Sequence, residues 1–244
     1  LSDASERGNG RARAVLAAAR AAAAEACRPC DPAGRTGPGR PVDGDKRRAI
    51  LAAARQQFAT NGFNAGMGDI AAEAGVSKQT IYNAFRNKDE LFLAAVGEVA
   101  EQITAPLSAP DPDASPEDIL TEIAWHFMRV VISGKMVSVM HMLTGMGRGG
   151  MAPELAAAFY EIGPARNGRR LADWLATQHQ AGRLDIDDPH LASEHFFGML
   201  NGKLQLRQLL HAAPPPDDDE AARRVAAAVT RFMKAYAPEV PPAR

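Results

Sequence analysis

The stretch from Asp69 to Phe92, DIAAEAGVSKQTIYNAFRNKDELF, constrains the fold more than any other part of the chain. Ile70, Ala71 and Ala74 share one face of a short helix running from about Met67 to Ala74. Gly75 breaks that helix, Val76 fills the angle, and Ser77 stands where its hydroxyl caps the next one. The next helix, about Lys78 to Phe85, turns Ile81 and Phe85 inward from positions one turn apart. Upstream, Ile50, Ala54 and Phe58 recur every four residues and predict a helix from near Asp45 to Asn61-Gly62. Downstream, Asn87 with Glu90 approaches a capping box and opens a helix to about Thr104, built on Leu91, Phe92, Ala95, Val96 and Val99. Pro106 and SAPDPDASP end it.

With Ile81 and Phe85 inside, the helix after Ser77 leaves Lys78, Gln79, Thr80, Tyr82 and Asn83 on its open side. Two short helices around a Gly-containing turn have the form of a helix-turn-helix, whose second helix enters the major groove. Gln79 and Asn83 are suited to adenine edges, and Thr80 to a base or a phosphate. Tyr82 and Lys88 are suited to phosphates, which set register. Arg47 and Arg48 crowd the start of the first helix, where the dipole disfavours cations and a phosphate would offset the cost.

The remainder also reads as helical: Glu117 to Val131, Lys135 to Gly145, Glu154 to Ala181, Pro189 to His211 and Asp217 to Tyr236. Gly- and Pro-rich separators divide these segments, and no strand alternation is sustained. The expected class is all-α with seven to nine helices. A flexible Ala/Arg/Gly/Pro-rich arm (1–44) precedes a helix-turn-helix domain with its connecting helix (45–104) and a helical effector-binding and dimerisation domain (105–240).

The formal net charge is −1, so any DNA footprint has to be local. Cys27 and Cys30 form a lone C-x-x-C in the arm, half the ligands of a structural zinc site, and read as free thiols. The arm's arginines suit either DNA phosphates or a solvated tail. The six histidines are scattered without an H-x-x-x-H pair, the serines lack a nucleophile elbow, and no phosphate-binding loop precedes a Lys-Ser or Lys-Thr pair. No metal, no cofactor and no catalysis are expected. No apolar run approaches the roughly 20 residues of a membrane span, and the Ala-rich arm is interrupted by Arg13, Arg20 and Glu25, so a cytoplasmic location is the expectation.

From Lys46 to about Phe92 the chain resembles the DNA-binding domain of TetR/AcrR transcriptional regulators. The resemblance rests on the helix ending in Phe58, Asn61-Gly62-Phe63, Asp69-Ile70-Ala71, the turn Ala74-Gly75-Val76-Ser77, Thr80-Ile81-Tyr82 with Phe85, and Lys88 with Leu91-Phe92. It implies that Ser77 to Asn83 line the recognition helix and that Tyr82 and Lys88 meet phosphates. Gly66 departs from the Ser or Thr usual before the second helix, which removes one hydroxyl. A weaker resemblance, to the AefR-like subset, runs from about Glu117 to Tyr236. It is carried by Phe159-Tyr160-Glu161, Gly163-Pro164-Ala165-Arg166, Gly182-Arg183-Leu184, Asp187-Asp188-Pro189, Ala192, Phe196-Phe197-Gly198 and Phe232.

The resemblance implies a homodimer made by the last two long helices and a small-molecule pocket within each subunit. Apolar residues in excess of one stripe, among them Phe196, Phe197, Leu200, Leu204, Val225, Val229 and Phe232, suit either ordinary core packing or that dimer face. Trp125, Met128, Met136, Met140 and His141, with Phe159 and Trp174, are the effector-binding candidates, although a plain Met-rich core explains the methionines equally. The expected function is a repressor released from a palindromic DNA operator by a small apolar effector. The alternative is a helical-bundle small-molecule-binding protein or enzyme without sequence-specific DNA binding.

Overall fold

The structure is a computed structural model that describes residues 44–109, 113–145 and 152–238. Cys27, Cys30 and the arm's arginines lie outside the described residues. Eleven α-helices and no strand occur among the described residues. They are α1 (Gly44–Asn61), α2 (Met67–Glu73), α3 (Lys78–Ala84), α4 (Lys88–Ile103), α5 (Pro116–Ile132), α6 (Lys135–Thr144), α7 (Pro153–Ile162), α8 (Pro164–Gln180), α9 (Pro189–Asn201), α10 (Leu204–Leu209) and α11 (Asp218–Ala235).

Two segments expected as single helices are each divided. The stretch Glu154 to Ala181 breaks at Gly163-Pro164, because proline offers no N–H to the turn behind it and its ring clashes with the carbonyl four residues back. The stretch Pro189 to His211 breaks at Gly202, whose φ of +48° lies in the left-handed region that favours glycine. These two divisions turn nine expected segments into eleven helices.

Two compact units group the helices out of chain order. One takes the described residues up to Val99 together with those of His141–Gly163, and the other takes Ala100–Met140 and the chain from Pro164 onward. In the first unit Ile50, Phe58, Ile70, Ile81, Phe85 and Leu91 are buried. Phe92 stands edge-on to Phe58 at 5.3 Å and stacks on Phe159 at 6.2 Å. Each such ring contributes about 1.5–3 kcal/mol on leaving water.

The second unit packs α5 against α11, and α9 against both α8 and α11. Phe196 lies between Phe197 and Phe232, at 5.7 and 5.3 Å, and Phe127 meets Phe197 at 5.3 Å. Ser115 caps α5 in a reciprocal box: its hydroxyl accepts from the Asp118 N–H, and the Asp118 carboxylate accepts from the Ser115 N–H. Asp188 and Asp217 cap α9 and α11 through their carboxylates.

Candidate nucleic-acid interface

The turn between α2 and α3 is built from its own backbone. Ala74 N–H bonds the Ile70 carbonyl and Val76 N–H bonds the Ala71 carbonyl, while Gly75 takes φ +65°. Ser77 enters α3 in an extended conformation, and its Oγ accepts from Thr80 N at 3.1 Å and pairs with Thr80 Oγ1 at 2.9 Å. Ile81 and Phe85 are sealed into the core at 0% and 1% exposure, which fixes the rotation of α3 about its axis. Lys78, Gln79, Tyr82 and Asn83 therefore face solvent, and Tyr82 keeps 51% of its surface exposed.

Local contacts order this outer row. Gln79 Nε2 donates to Asn83 Oδ1 at 2.8 Å, so the two amides expected to read adenine are joined to each other. The Lys78 stem crosses α2 at Gly68, with Cε 2.7 Å from where a Cβ on that glycine would sit. Any side chain at position 68 would displace the lysine.

The cations around α3 divide into two kinds. Arg47 lays its guanidinium over the Phe85 ring at 4.6 Å and is half-buried. Lys88 sends Nζ to the Phe63 carbonyl at 2.6 Å and over the Phe63 ring at 4.4 Å. Both are held by aromatic neighbours, a role that neither spacing nor charge had indicated. Arg48 instead pairs with Asp45 in a solvent-exposed ion pair, and Arg86 reaches Glu90 at 3.3 Å. The Arg48 pair is exposed on both sides, and such pairs contribute little stability.

Two cap details differ from their sequence reading. Glu90 N–H bonds Asn87 Oδ1 at 2.8 Å as expected, but the Glu90 carboxylate reaches back to Arg86 N–H, one residue before the cap. Gly66 caps α2 without a side chain, and the Asp69 carboxylate lies 2.7 Å from where its Cβ would be. The missing hydroxyl at position 66 is thus accompanied by an acidic group folded over the glycine.

The effector candidates divide between the compact units. Phe159 is buried against Phe92, and it and His141 fall in the first unit. Trp125, Met128, Met136, Met140 and Trp174 belong to the second, where Met128 is fully buried and the others are half-buried. Among the residues expected at a dimer face, Phe196, Leu200, Leu204, Val225, Val229 and Phe232 are interior side chains of the single chain, and Phe197 is half-buried. The exposed apolar side chains of α9, α10 and the residue after α10 are Leu191, Met199, Leu206 and Leu210. Chain order shows an apolar surplus there but not which members are left outside.

Among the described residues, no group of three or more His, Cys, Asp or Glu side chains is placed to hold a metal ion. No single described helix is long and apolar enough to cross a membrane.

Comparison with known proteins follows the same division. Residues 50–95 match the family described as bacterial regulatory proteins, tetR family. Residues 118–238 match the AefR-like transcriptional repressor C-terminal domain. The structure is similar to that of the flavonoid-responsive regulator FrrA, with 32% identity, 81% of this chain and 100% of that one covered, and a TM-score of 0.57. It is also similar to a TetR family transcriptional regulator from Pseudomonas syringae pv. tomato (26% identity, 82% and 99% covered, TM-score 0.53) and to a TetR transcriptional regulator from Agrobacterium tumefaciens (25%, 81% and 96%, 0.58). The HTH-type transcriptional activator FasR of Mycolicibacterium smegmatis is 43% identical over 67 residues, which are 27% of this chain and 31% of FasR. The match thus spans about a third of that curated relative's length.

Proposed function

The chain belongs to the TetR family of bacterial regulatory proteins, with an AefR-like C-terminal domain, and on that premise we propose that it is a dimeric repressor released from a palindromic operator by a small apolar effector. Family membership makes it a DNA-binding regulator rather than an enzyme.

The observation that carries the finer reading is the outward row of α3. Lys78, Gln79, Tyr82 and Asn83 are exposed on a helix whose rotation is fixed by buried Ile81 and Phe85. On this reading each subunit lays α3 in one major-groove half-site. Gln79 and Asn83 meet base edges, with their mutual hydrogen bond exchanged for bonds to the bases. Tyr82, Thr80 and Ser77 meet phosphates or sugars, joined by Arg47, Arg48 and Lys88 at the margins.

A second copy covers Leu191, Met199, Leu206 and Leu210, whose exposures of 47%, 39%, 56% and 59% are high for apolar side chains. Two-fold pairing of the subunits calls for a palindromic site. The effector binds the second unit beside Trp125, Met128, Met136, Met140 and Trp174, and a flavonoid-responsive relative supports an apolar, aromatic-compatible ligand. Release requires only that the effector bind the non-operator conformation more tightly.

Repression is favoured by the AefR-like repressor match over most of the C-terminal half, while the shorter match is to an activator. Selection of bound sequences from a fragmented genomic duplex library, at fixed near-physiological salt, tests the reading. A palindromic motif supports it. Folded, ligand-stripped protein that recovers no motif overturns it. Transcription in vitro from the recovered site then decides the sign, and a rise in transcript on adding the protein overturns repression.

A further inference from the structure

Lys78 is the first residue of α3, yet its side chain lies on α2. The stem runs back to Gly68, where a Cβ would stand 2.7 Å from Cε, 3.1 Å from Nζ and 3.9 Å from Cδ. The lysine passes this close to the α2 backbone only because position 68 carries no side chain. Nothing in the backbone itself asks for glycine there. Gly68 sits in the first turn of α2 and is absent from the glycines with positive φ. A glycine within a helix is otherwise a liability, because it loses more conformational freedom than any other residue.

Four other cations of this unit are held by different means. Arg47 and Lys88 rest on aromatic rings, and Arg48 and Arg86 pair with carboxylates. Among the described residues no hydrogen bond or ion pair engages the exposed Lys78 ammonium. A surface lysine samples many rotamers, so packing along a bare stretch of backbone narrows where its charge is presented.

A lysine on the second helix of a helix-turn-helix has two kinds of partner on DNA, the acceptor edge of guanine and the phosphate. The helix that carries its Cα points to the first, and the place where its charge rests points to the second. In this motif the second helix enters the groove while the first crosses the sugar-phosphate backbone. An ammonium lying on α2 therefore stands with the helix that meets phosphates. We propose that Lys78 is a phosphate contact and that Gly68 is its positioning residue, the missing side chain letting the lysine lie along α2 and away from base edges. This assignment rests on the operator reading and deepens it, separating Lys78 from the base-reading pair Gln79 and Asn83.

The full chain and its variants Gly68→Ala, Lys78→Ala and the double variant are titrated with a pool of random-sequence duplexes across a salt series. Bound sequences are then selected with each. One phosphate contact contributes about 0.9 to the slope of log affinity against log salt. Lys78→Ala is expected to lower the slope by about one contact and to weaken all sequences alike, with the selected motif unchanged. Gly68→Ala is expected to lower the slope in the same direction while melting no lower than the wild type, since alanine is the better helix former. Once Lys78→Ala is present, Gly68→Ala is expected to change nothing further. A motif that changes at one position in Lys78→Ala makes the lysine a base reader and overturns the proposal. So does a wild-type slope in either single variant, or an added loss in the double variant. A Gly68→Ala protein that melts below the wild type also overturns it, because the glycine would then serve the fold. A wild type that binds no duplex sinks the operator reading itself, whereas wild-type binding with unchanged slopes in the variants sinks this assignment alone.

Discussion

The Arg47 guanidinium lies over the ring of Phe85 at 4.6 Å, which ties the first turn of α1 to the residue that closes α3. A cation that the sequence reading assigned to DNA therefore packs on the helix-turn-helix itself. Arg47→Ala is expected to lower stability by about 0.5–1 kcal/mol in urea unfolding. Arg47→Lys keeps the charge and loses the planar stack. If Arg47→Lys binds operator as the wild type does while unfolding earlier, bracing and phosphate contact are separate roles. Unchanged stability in both variants removes the bracing role.

Ser77→Ala removes the cap of α3 and is expected to cost about 1 kcal/mol, whereas Ser77→Gly costs a few tenths. Thermal unfolding of the two variants side by side checks this order. A reversed order would show that the hydroxyl's bond to Thr80 N contributes nothing.

Tyr82 and Gln79 project from a face that the core does not use. Tyr82→Ala and Gln79→Ala are expected to change stability by no more than about 0.5 kcal/mol. Tyr82→Ala is expected to weaken binding across all sites alike, and Gln79→Ala to cost about 1–3 kcal/mol at one position and relax selectivity there. Titration of operator and scrambled duplexes reads both, and undiminished affinity in both variants counts against α3 as the reader.

Leu206 and Phe232 predict opposite outcomes in a dimerisation assay. Leu206 is 56% exposed, so Leu206→Glu is expected to shift the protein toward monomer in sedimentation while each chain keeps its helicity. Phe232 is fully buried, so Phe232→Ala is expected to unfold the domain by about 3–5 kcal/mol whatever the oligomeric state. A Leu206→Glu protein that sediments as the wild type does moves the interface elsewhere.

Hydrogen bonds from the Ser115 side chain, and then from its backbone N–H, hold the Asp118 carboxyl below its ordinary value of 3.8. A depressed folded-state pKa stabilises the fold above the unfolded value and is lost as pH falls through the folded one. The capping box at the start of α5 should therefore loosen only in acid. Titration of the Asp118 carboxyl by NMR is expected to show a rise toward 3.8 in Ser115→Ala. An unchanged midpoint removes the cause assigned to it.

The helix-turn-helix was legible because its information is local. Ile70, Gly75, Ser77, Ile81 and Phe85 lie within one short stretch, so their spacing specifies both helices, the turn and the face left outside. The Pro-rich stretches SAPDPDASP and APPPDDD marked where α5 and α11 begin, while the caps Ser115 and Asp217 emerged only in the structure. Helix ends inside long apolar stretches were less legible. Gly163-Pro164 and Gly202 divide helices that periodicity alone runs together.

Sequence by itself determined the all-α class, the family and the outward row of α3, because periodicity records which residues are turned from water. It does not record what they are turned toward. Tertiary structure decided that Phe159 serves Phe92, that Phe196 and Phe232 serve each other, that Arg47 and Lys88 lean on Phe85 and Phe63, and that Leu206 stays outside.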